Sequence, residues 1–153
     1  MNINYIEYSI ATQSLDIFFA GCNNRCKDCC NPELMSFDNG TPYVTWLPKI
    51  ENYLENYKLL IKRIFLVGGS PTHQNESDME SFLIGLRKRC GKNIEIFMFC
   101  GETLDEVSPI FKKYCDFIKC GAYIPSLTVD NNIQYGIKLA TSNQKIFKKG
   151  LDY

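Results

Sequence analysis

Four cysteines fall within nine residues near the start of the chain. Cys22, Cys26 and Cys29 have the spacing C-x3-C-x2-C, and Cys30 follows directly. Cysteine thiolates hold iron–sulfur clusters, and three of them on one short loop can bind three corners of a cubane. One iron then keeps an open coordination position, as catalytic metal sites do. Residues 22–31, the cysteine loop, therefore predict a [4Fe–4S] centre with a vacancy for a substrate or cofactor.

Other uses of these thiols stay open. A structural zinc site normally takes two cysteine pairs, and Cys115 with Cys120 would have to supply the second pair. An electron-transfer cluster needs a fourth ligand, and Cys30 is available, although adjacent residues are poorly placed for two corners of one cubane. Inert buried thiols are the remaining alternative, which the polar composition of the loop disfavours.

Composition limits the remaining function classes. The chain has 153 residues, of which 45% are hydrophobic, so we expect one domain, 1–153, with a packed core. Zero formal net charge argues against a general nucleic-acid binder. No apolar run approaches the ~20 residues of a membrane span, and residues 1–8 lack the basic start of a secretory signal. We therefore expect a cytoplasmic protein, in which clustered cysteines bind metal or react.

Apolar runs and helical periodicities alternate along the chain. Short runs rich in branched and aromatic residues predict buried strands at 15–20, 64–67, 94–99 and 117–119. Apolar residues three and four apart predict helices between them. The first helix has a predicted apolar stripe that runs from Trp46 to Ile61, and the second has one at Met79, Phe82, Leu83 and Leu86. These helices begin near Trp46 with Thr45 as N-cap, at Ser77, and at either Thr103 or Ser108, depending on whether Pro109 kinks the helix or begins it. The alternation predicts βαβ units, hence an α/β fold with a mostly parallel sheet.

A glycine-rich turn, Gly68-Gly69-Ser70-Pro71, follows the second predicted strand. Ligands of parallel sheets bind at the carboxyl ends of the strands, so we expect this turn and the cysteine loop at one edge. Glycines let a backbone approach a ligand closely; a plain turn is the alternative interpretation. We expect a valine at Gly69 to weaken ligand binding while the cluster stays loaded.

The three-cysteine motif resembles that of the radical S-adenosylmethionine (SAM) superfamily. Its members often have Gly-Gly-Glu-Pro where this chain has residues 68–71, so Ser70 replaces an acidic residue. Within the superfamily the chain is similar to the small activating proteins of anaerobic ribonucleotide reductase, a likeness that runs over 15–149. The similar segments are residues 19–22, 29–33, 99–103, 116–121 and 142–146. Three residues depart from the family pattern: Cys30, Ser70 and Cys100.

The resemblance implies an oxidoreductase whose [4Fe–4S] cluster is held by Cys22, Cys26 and Cys29. Its open iron would bind SAM, and one-electron reduction would yield a 5′-deoxyadenosyl radical. That radical would take hydrogen from a glycine of a large glycyl-radical protein, such as anaerobic ribonucleotide reductase. An electron donor such as flavodoxin or ferredoxin is implied as well, whereas a homodimer is left open.

The resemblance also implies a fold and a set of SAM contacts. The fold is a partial, open (β/α) barrel of the radical SAM type, because a full eight-unit barrel takes ~250 residues. Family geometry puts the methionyl part of SAM near Gly68, Gly69 and Ser70, and its adenine near the Asp28 backbone. We assign no side chain as a catalytic residue, because the cofactor carries the chemistry.

Two other functions stay open: a radical SAM enzyme with a different peptide or small-molecule substrate, and a non-enzymatic iron–sulfur or zinc-binding module. We interpret His73, the only histidine, as a solvated loop residue, with a donor at the SAM edge as the alternative. The cysteines outside the cysteine loop are interpreted as buried or spectator thiols: Cys90, Cys100, Cys115 and Cys120.

Overall fold

The chain forms nine strands and three α-helices in a computed structural model that describes residues 1–153. The strands are β1 (Asn2–Ser9), β2 (Ser14–Phe19), β3 (Thr41–Pro42), β4 (Arg63–Gly68), β5 (Glu95–Phe99), β6 (Phe117–Cys120), β7 (Ile133–Gln134), β8 (Ile137–Lys138) and β9 (Lys145–Lys148). The helices are α1 (Leu47–Asn56), α2 (Glu76–Cys90) and α3 (Pro109–Tyr114). Short 3-10 turns lie at Pro32–Leu34, Tyr43–Thr45, Pro71–His73, Leu104–Glu106 and Pro125–Leu127.

Seven strands form one sheet in the order β3-β1-β2-β4-β5-β6-β9. Strands β2, β4, β5 and β6 are parallel neighbours, as alternation with helices predicts. Strands β1 and β9 flank them in antiparallel orientation. The α/β class and the mostly parallel central sheet are thus confirmed. The strands at the two edges of the sheet, β3 and β9, do not pair with each other, so the sheet is not a closed barrel.

Strand β1 was missed by the sequence analysis, which treated residues 1–8 only as a candidate signal. It forms a hairpin with β2, in which Ile6 lies opposite Ile17. Only Ile3 of the strand is buried, so the apolar content that marks the central strands is lacking. The polar–apolar alternation Asn2-Ile3-Asn4-Tyr5 was the available signal, since a half-buried strand has period two.

Side chains alternate between the two faces of a strand, and β4, β5 and β6 bury residues on both faces of the sheet. In β4, Ile64 and Leu66 are part of a cluster of 23 buried residues shared with the three helices, whereas Phe65 is one of six clustered residues on the opposite face. There Phe97 stacks on Phe117 with ring centroids 4.2 Å apart. This burial on both faces explains why the strands read as continuous apolar runs.

Helix α2 confirms its predicted apolar stripe, since Met79, Phe82, Leu83 and Leu86 are all buried. Its predicted start at Ser77 is wrong by one residue. The helix begins at Glu76, because the Asn75 side chain accepts the Asp78 N–H at 3.0 Å and caps it.

The other two helices refine the predicted boundaries. Thr45 is not the N-cap of α1, because its hydroxyl donates to the Pro42 carbonyl at 2.8 Å and Trp46 occupies the cap position. Helix α1 also ends at Asn56, before Ile61 of its predicted stripe. Helix α3 begins at Pro109 with Ser108 as N-cap, which settles the alternative in favour of Ser108.

Of the three helices, none is both long and apolar enough to cross a membrane.

Candidate functional site

A cleft of about 480 Å³ lies at the carboxyl ends of the four parallel strands. Each strand contributes the residues that follow it: Cys22 after β2, Gly69 after β4, Gly101 after β5 and Gly121 after β6. The predicted meeting of the cysteine loop and the glycine-rich turn at one edge is therefore confirmed. A volume of 300–1,000 Å³ is typical of small-molecule sites.

The cysteine loop leaves β2 under tight backbone control. The Gly21 and Cys22 N–H groups donate to the carbonyls of Leu34 and Met35, at 2.8 and 3.1 Å. Arg25 and Asp28, each just before a cysteine, have φ of 44° and 59°, in the left-handed region. These turns bring the three predicted ligands into the lining of the cleft, together with Asp28: Cys22, Cys26 and Cys29.

The donor set suits an iron–sulfur cluster. The three predicted ligand thiols are half-buried, whereas Cys30 is exposed and its sulfur accepts from Asn31 Nδ2 at 3.5 Å. Burial raises the pKa of the Cys22 thiol, and the neighbouring Cys26 and Cys29 thiols add to the shift. No three His, Cys, Asp or Glu side chains are gathered as ligands of one metal ion. A cubane cluster does not require the three thiolates to converge on one ion, because each thiolate binds a different iron.

Cys115 is not placed to be a ligand of the composite zinc site. That residue is 0% exposed within the main core cluster and is absent from the cleft lining. Burial raises the pKa of its thiol to about 12, which disfavours the thiolate that a metal requires.

The glycine-rich turn is fastened to the start of the cysteine loop. The Gly69 N–H donates to the Phe19 carbonyl at 2.7 Å, and the Ser70 N–H donates to the Gly21 carbonyl at 2.9 Å. A Cβ at Gly69 would lie 2.4 Å from the Gly21 oxygen. A side chain at Gly69 would therefore press on Gly21, the residue before the cysteine loop, and this contact argues against the expectation that the cluster is spared.

Gly68 and Ser70 are held just as closely. Gly68 has φ of +98°, and a Cβ there would meet the Phe19 backbone at 2.8 Å. Ser70 is 3% exposed, and its hydroxyl lies 2.6 Å from that of Thr72. Both residues line the cleft with Gly69.

His73 is not a solvated loop residue. Its Nδ1 accepts the Asn23 N–H at 3.0 Å, and its Nε2 lies 2.9 Å from Glu102 Oε1. Because Nδ1 accepts, the neutral ring carries its proton on Nε2 and donates it to the carboxylate. His73 thus ties the cysteine loop to the segment after β5, a role that sequence reasoning missed.

Glu102 connects this clamp to the glycine-rich turn. Its Oε1 also accepts from the Thr72 hydroxyl at 2.9 Å, and Thr72 contacts Ser70. Its Oε2 is buried without a hydrogen-bond partner. A buried carboxylate oxygen without a donor is costly, so a donor supplied by a ligand would stabilise this corner of the site.

Lys119 places a buried ammonium in the lining of the cleft. The residue is 9% exposed, and its Nζ donates to the Gly121 carbonyl at 2.7 Å and to the Cys100 carbonyl at 3.4 Å. No carboxylate forms an ion pair with it. Burial lowers the pKa of the lysine, while the thiols of Cys100 and Cys120 oppose that shift. The cleft therefore favours an anionic group near Lys119.

The C-terminal segment closes one side of the cleft. Gln144 lines it and is 7% exposed, and its Oε1 accepts the Ala140 N–H at 3.0 Å. Asn143 ties this segment to the loop after β6, because its Nδ2 donates to the Ala122 carbonyl at 2.9 Å. The segment 142–144 therefore forms part of the cleft wall through Gln144 and is fixed in place by Asn143.

A second cavity, of about 600 Å³, lies at the opposite end of the sheet. It is lined by residues before β4 and β5, such as Lys62 and Ile94, and by α1 residues such as Glu51. It contains none of the cysteine loop. The carboxyl-end cleft is the better functional candidate, because ligands of parallel sheets bind there.

Comparison with known proteins supports the chemistry of the cysteine loop. The model of the 4Fe-4S single cluster domain family matches residues 13–147, from the start of β2 into β9. No curated protein and no solved structure gives a significant match. Because the family match spans most of the chain, including the whole cysteine loop and every strand that borders the cleft, this protein belongs to the 4Fe-4S single cluster domain family.

Proposed function

We propose that this protein is a radical SAM activating enzyme. Cys22, Cys26 and Cys29 would hold three irons of the cluster and leave the fourth open to SAM. When bound, that cluster supplies the electron that cleaves SAM into methionine and a 5′-deoxyadenosyl radical. One observation carries the proposal: the C-x3-C-x2-C loop opens three half-buried thiols onto a ligand-sized cleft at the carboxyl ends of four parallel strands.

The cleft lining offers complementary groups for SAM. The backbone of Gly68 and Gly69 faces the cleft, which suits a close approach by the methionyl part. Ser70 lacks the charge of the acidic residue it replaces, but a hydroxyl chain through Thr72 links it to Glu102. Glu102 itself is not among the residues that line the cleft, so we assign to it a negative charge that favours the SAM ammonium from behind this hydroxyl chain.

Two further residues complete the proposed SAM site. The Lys119 ammonium retains one N–H beyond its two carbonyl acceptors. The positive charge of Lys119 favours binding of the SAM carboxylate or of the anionic cluster. Asp28 lines the cleft from the cysteine loop, and we assign its backbone to the adenine.

The proposed substrate is a glycine of a large glycyl-radical protein, such as anaerobic ribonucleotide reductase. The reacting carbon must come within about 3–3.5 Å of the deoxyadenosyl carbon, and a glycine loop has no side chain to obstruct this approach. The sheet is open at both edges. We infer that the partner itself completes the enclosure and excludes water from the radical.

An electron donor must reach the cluster from outside. In the cysteine loop, Asn24, Arg25 and Lys27 are exposed around the half-buried ligands. This exposure suits docking of a small redox protein such as flavodoxin or ferredoxin.

The first experiment is iron analysis of anaerobically reconstituted single variants. Cys22→Ala, Cys26→Ala and Cys29→Ala should each lose the cluster, while Cys30→Ala, the matched control, should keep the full iron content of wild type. A Cys30→Ala variant without iron would show that a fourth cysteine closes the cluster.

The second experiment tests the reaction. Under dithionite, the cluster-loaded protein should convert SAM to methionine and 5′-deoxyadenosine, more slowly alone than with its partner. A loaded cluster that never cleaves SAM would favour a non-enzymatic iron–sulfur module. Cleavage at full rate with a small molecule, and no glycyl radical on any candidate reductase, would favour a different radical SAM substrate.

A further inference from the structure

Two cysteines that the proposed function does not use lie side by side below the cleft. Cys100 is the first residue after β5 and Cys120 is the last residue of β6. The two strands are parallel, with Phe99 paired to Lys119, so the next residues of both strands are neighbours. Their sulfurs are 3.9 Å apart.

This placement allows a disulfide with little rearrangement. Neighbouring strands lie ~4.8 Å apart, within the Cα separations of ~4.4–6.8 Å that disulfides span. The sulfurs have to close from 3.9 Å to a bond of ~2.05 Å, which side-chain rotation can supply.

The two thiols have different surroundings. Cys100 is 6% exposed and lines the cleft, so a small molecule in the cleft meets it first. Cys120 lies behind it, at 4% exposure. The Cys100 thiol donates to the Cys120 sulfur, and this bond, with help from nearby Lys119, lowers the pKa of Cys120.

The other two buried cysteines provide the contrast. Burial raises the pKa of Cys90 and of Cys115 to about 12. No hydrogen bond joins either sulfur to another thiol, whereas one joins Cys100 to Cys120. The pairing is specific to the ends of β5 and β6.

We propose that Cys100 and Cys120 form a redox-active dithiol that exchanges with low-molecular-weight disulfides entering the cleft. Loss of one proton leaves the pair as a hydrogen-bonded thiol, Cys100, and thiolate, Cys120. In the first step that proton moves from Cys100 to Cys120 while the Cys100 sulfur attacks one sulfur of the disulfide, forms a mixed disulfide and releases one thiolate. In the second step Cys120 gives its proton to the released thiolate, attacks the Cys100 sulfur and releases the second thiolate. Two protein thiols lose two electrons and two protons, and one small disulfide is reduced to two thiols.

Oxidation of this pair would change the contacts between Cys100 and Lys119 in the lining of the cleft. The Cys100 thiol also lies 3.4 Å from the Lys119 carbonyl, and the Cys100 carbonyl accepts from Lys119 Nζ. A bond between the two sulfurs removes the first of these contacts and joins the ends of β5 and β6 directly under the buried ammonium. The exchange itself requires neither the cluster nor the proposed function, although Cys100 lines the same cleft.

The test uses the cluster-loaded protein under anaerobic conditions with bis(2-hydroxyethyl) disulfide as the probe. After alkylation of remaining thiols and digestion, peptide mass mapping should find a Cys100–Cys120 cross-link in wild type. The cross-link should vanish in Cys100→Ser. In Cys120→Ser the mixed disulfide should accumulate on Cys100, because the thiol that resolves it is gone.

A Cys90→Ser variant is the matched control and should form the cross-link as wild type does. Modification of exposed Cys30 reports that the probe has reacted. If Cys30 is modified and wild type yields no Cys100–Cys120 peptide, the proposal is wrong. That conclusion needs only the wild-type map, so it stands even if a variant fails to fold.

Discussion

Gly69→Ala is the substitution whose consequences the structure defines most closely. The added Cβ would lie 2.4 Å from the Gly21 oxygen, and 2.9 Å from both the Gly21 carbon and nitrogen. Ordinary contacts of a Cβ begin at 3.4 Å, so the backbone at Gly21 must move by roughly 1 Å. The backbone of Gly69 has no left-handed φ, so this overlap is the whole effect.

Gly21 cannot move without loss. Its carbonyl accepts the Ser70 N–H at 2.9 Å and Gln74 Nε2 at 3.2 Å. On its other side, the Phe37 ring occupies the space beside the Gly21 Cα. Overpacking of this kind costs about 1–3 kcal/mol, and a weakened hydrogen bond adds about 1 kcal/mol. We expect Gly69→Ala to lower the free energy of unfolding by about 2–4 kcal/mol.

The assay combines thermal unfolding with iron analysis. For a domain of about 150 residues each kcal/mol shifts Tm by about 2–4 °C, so Tm should fall by about 4–16 °C. Iron content should fall as well, since Gly21 immediately precedes the cysteine loop. Gly85→Ala is the control: a Cβ there meets only the Arg89 guanidinium at 3.4 Å, and alanine favours a helix interior. Wild-type Tm and iron content in Gly69→Ala would refute the reasoning.

Three further predictions concern groups around the cleft. His73→Ala removes the side chain that fastens the cysteine loop, so a chelator should strip iron faster than from wild type; equal rates would contradict the clamp. Lys119→Met removes the buried cation, and calorimetry on the loaded protein should show SAM affinity reduced about tenfold to a hundredfold; unchanged affinity would exclude Lys119 from the site. Cys90 and Cys115, with pKa of about 12, should resist iodoacetamide at pH 8 while exposed Cys30 reacts, and their labelling should rise about tenfold per pH unit; labelling as fast as that of Cys30 would show that they are not buried.

The central architecture was readable from the sequence because β4, β5 and β6 bury side chains on both faces. Phe65 between Ile64 and Leu66 looks like one apolar run, although the three side chains serve two cores. The antiparallel edges were not readable in the same way. Strand β1 buries only Ile3, and β9 buries only Ile146, so neither has the apolar density of a central strand.

The cysteine loop was also readable, because ligand spacing is local in the chain. The clamp between Asn23, His73 and Glu102 was not, since its members are 50 and 29 residues apart in sequence and meet only through the order of β2, β4 and β5. The burial of Lys119 could not be predicted either, for a different reason. A lysine in an apolar strand resembles a solvated edge residue until the neighbouring strands bury it.

The electron paramagnetic resonance spectrum of the reduced cluster, recorded with and without SAM, reports whether one iron of the cluster is open to SAM. A cluster held by Cys22, Cys26 and Cys29 has one iron open to SAM, so SAM should change the g-values of the wild-type signal. Cys30→Ala should show the same change, because its exposed thiol is not a ligand. A full iron content with a spectrum that SAM leaves unaltered would contradict the account, since the cluster would then have no open position for SAM.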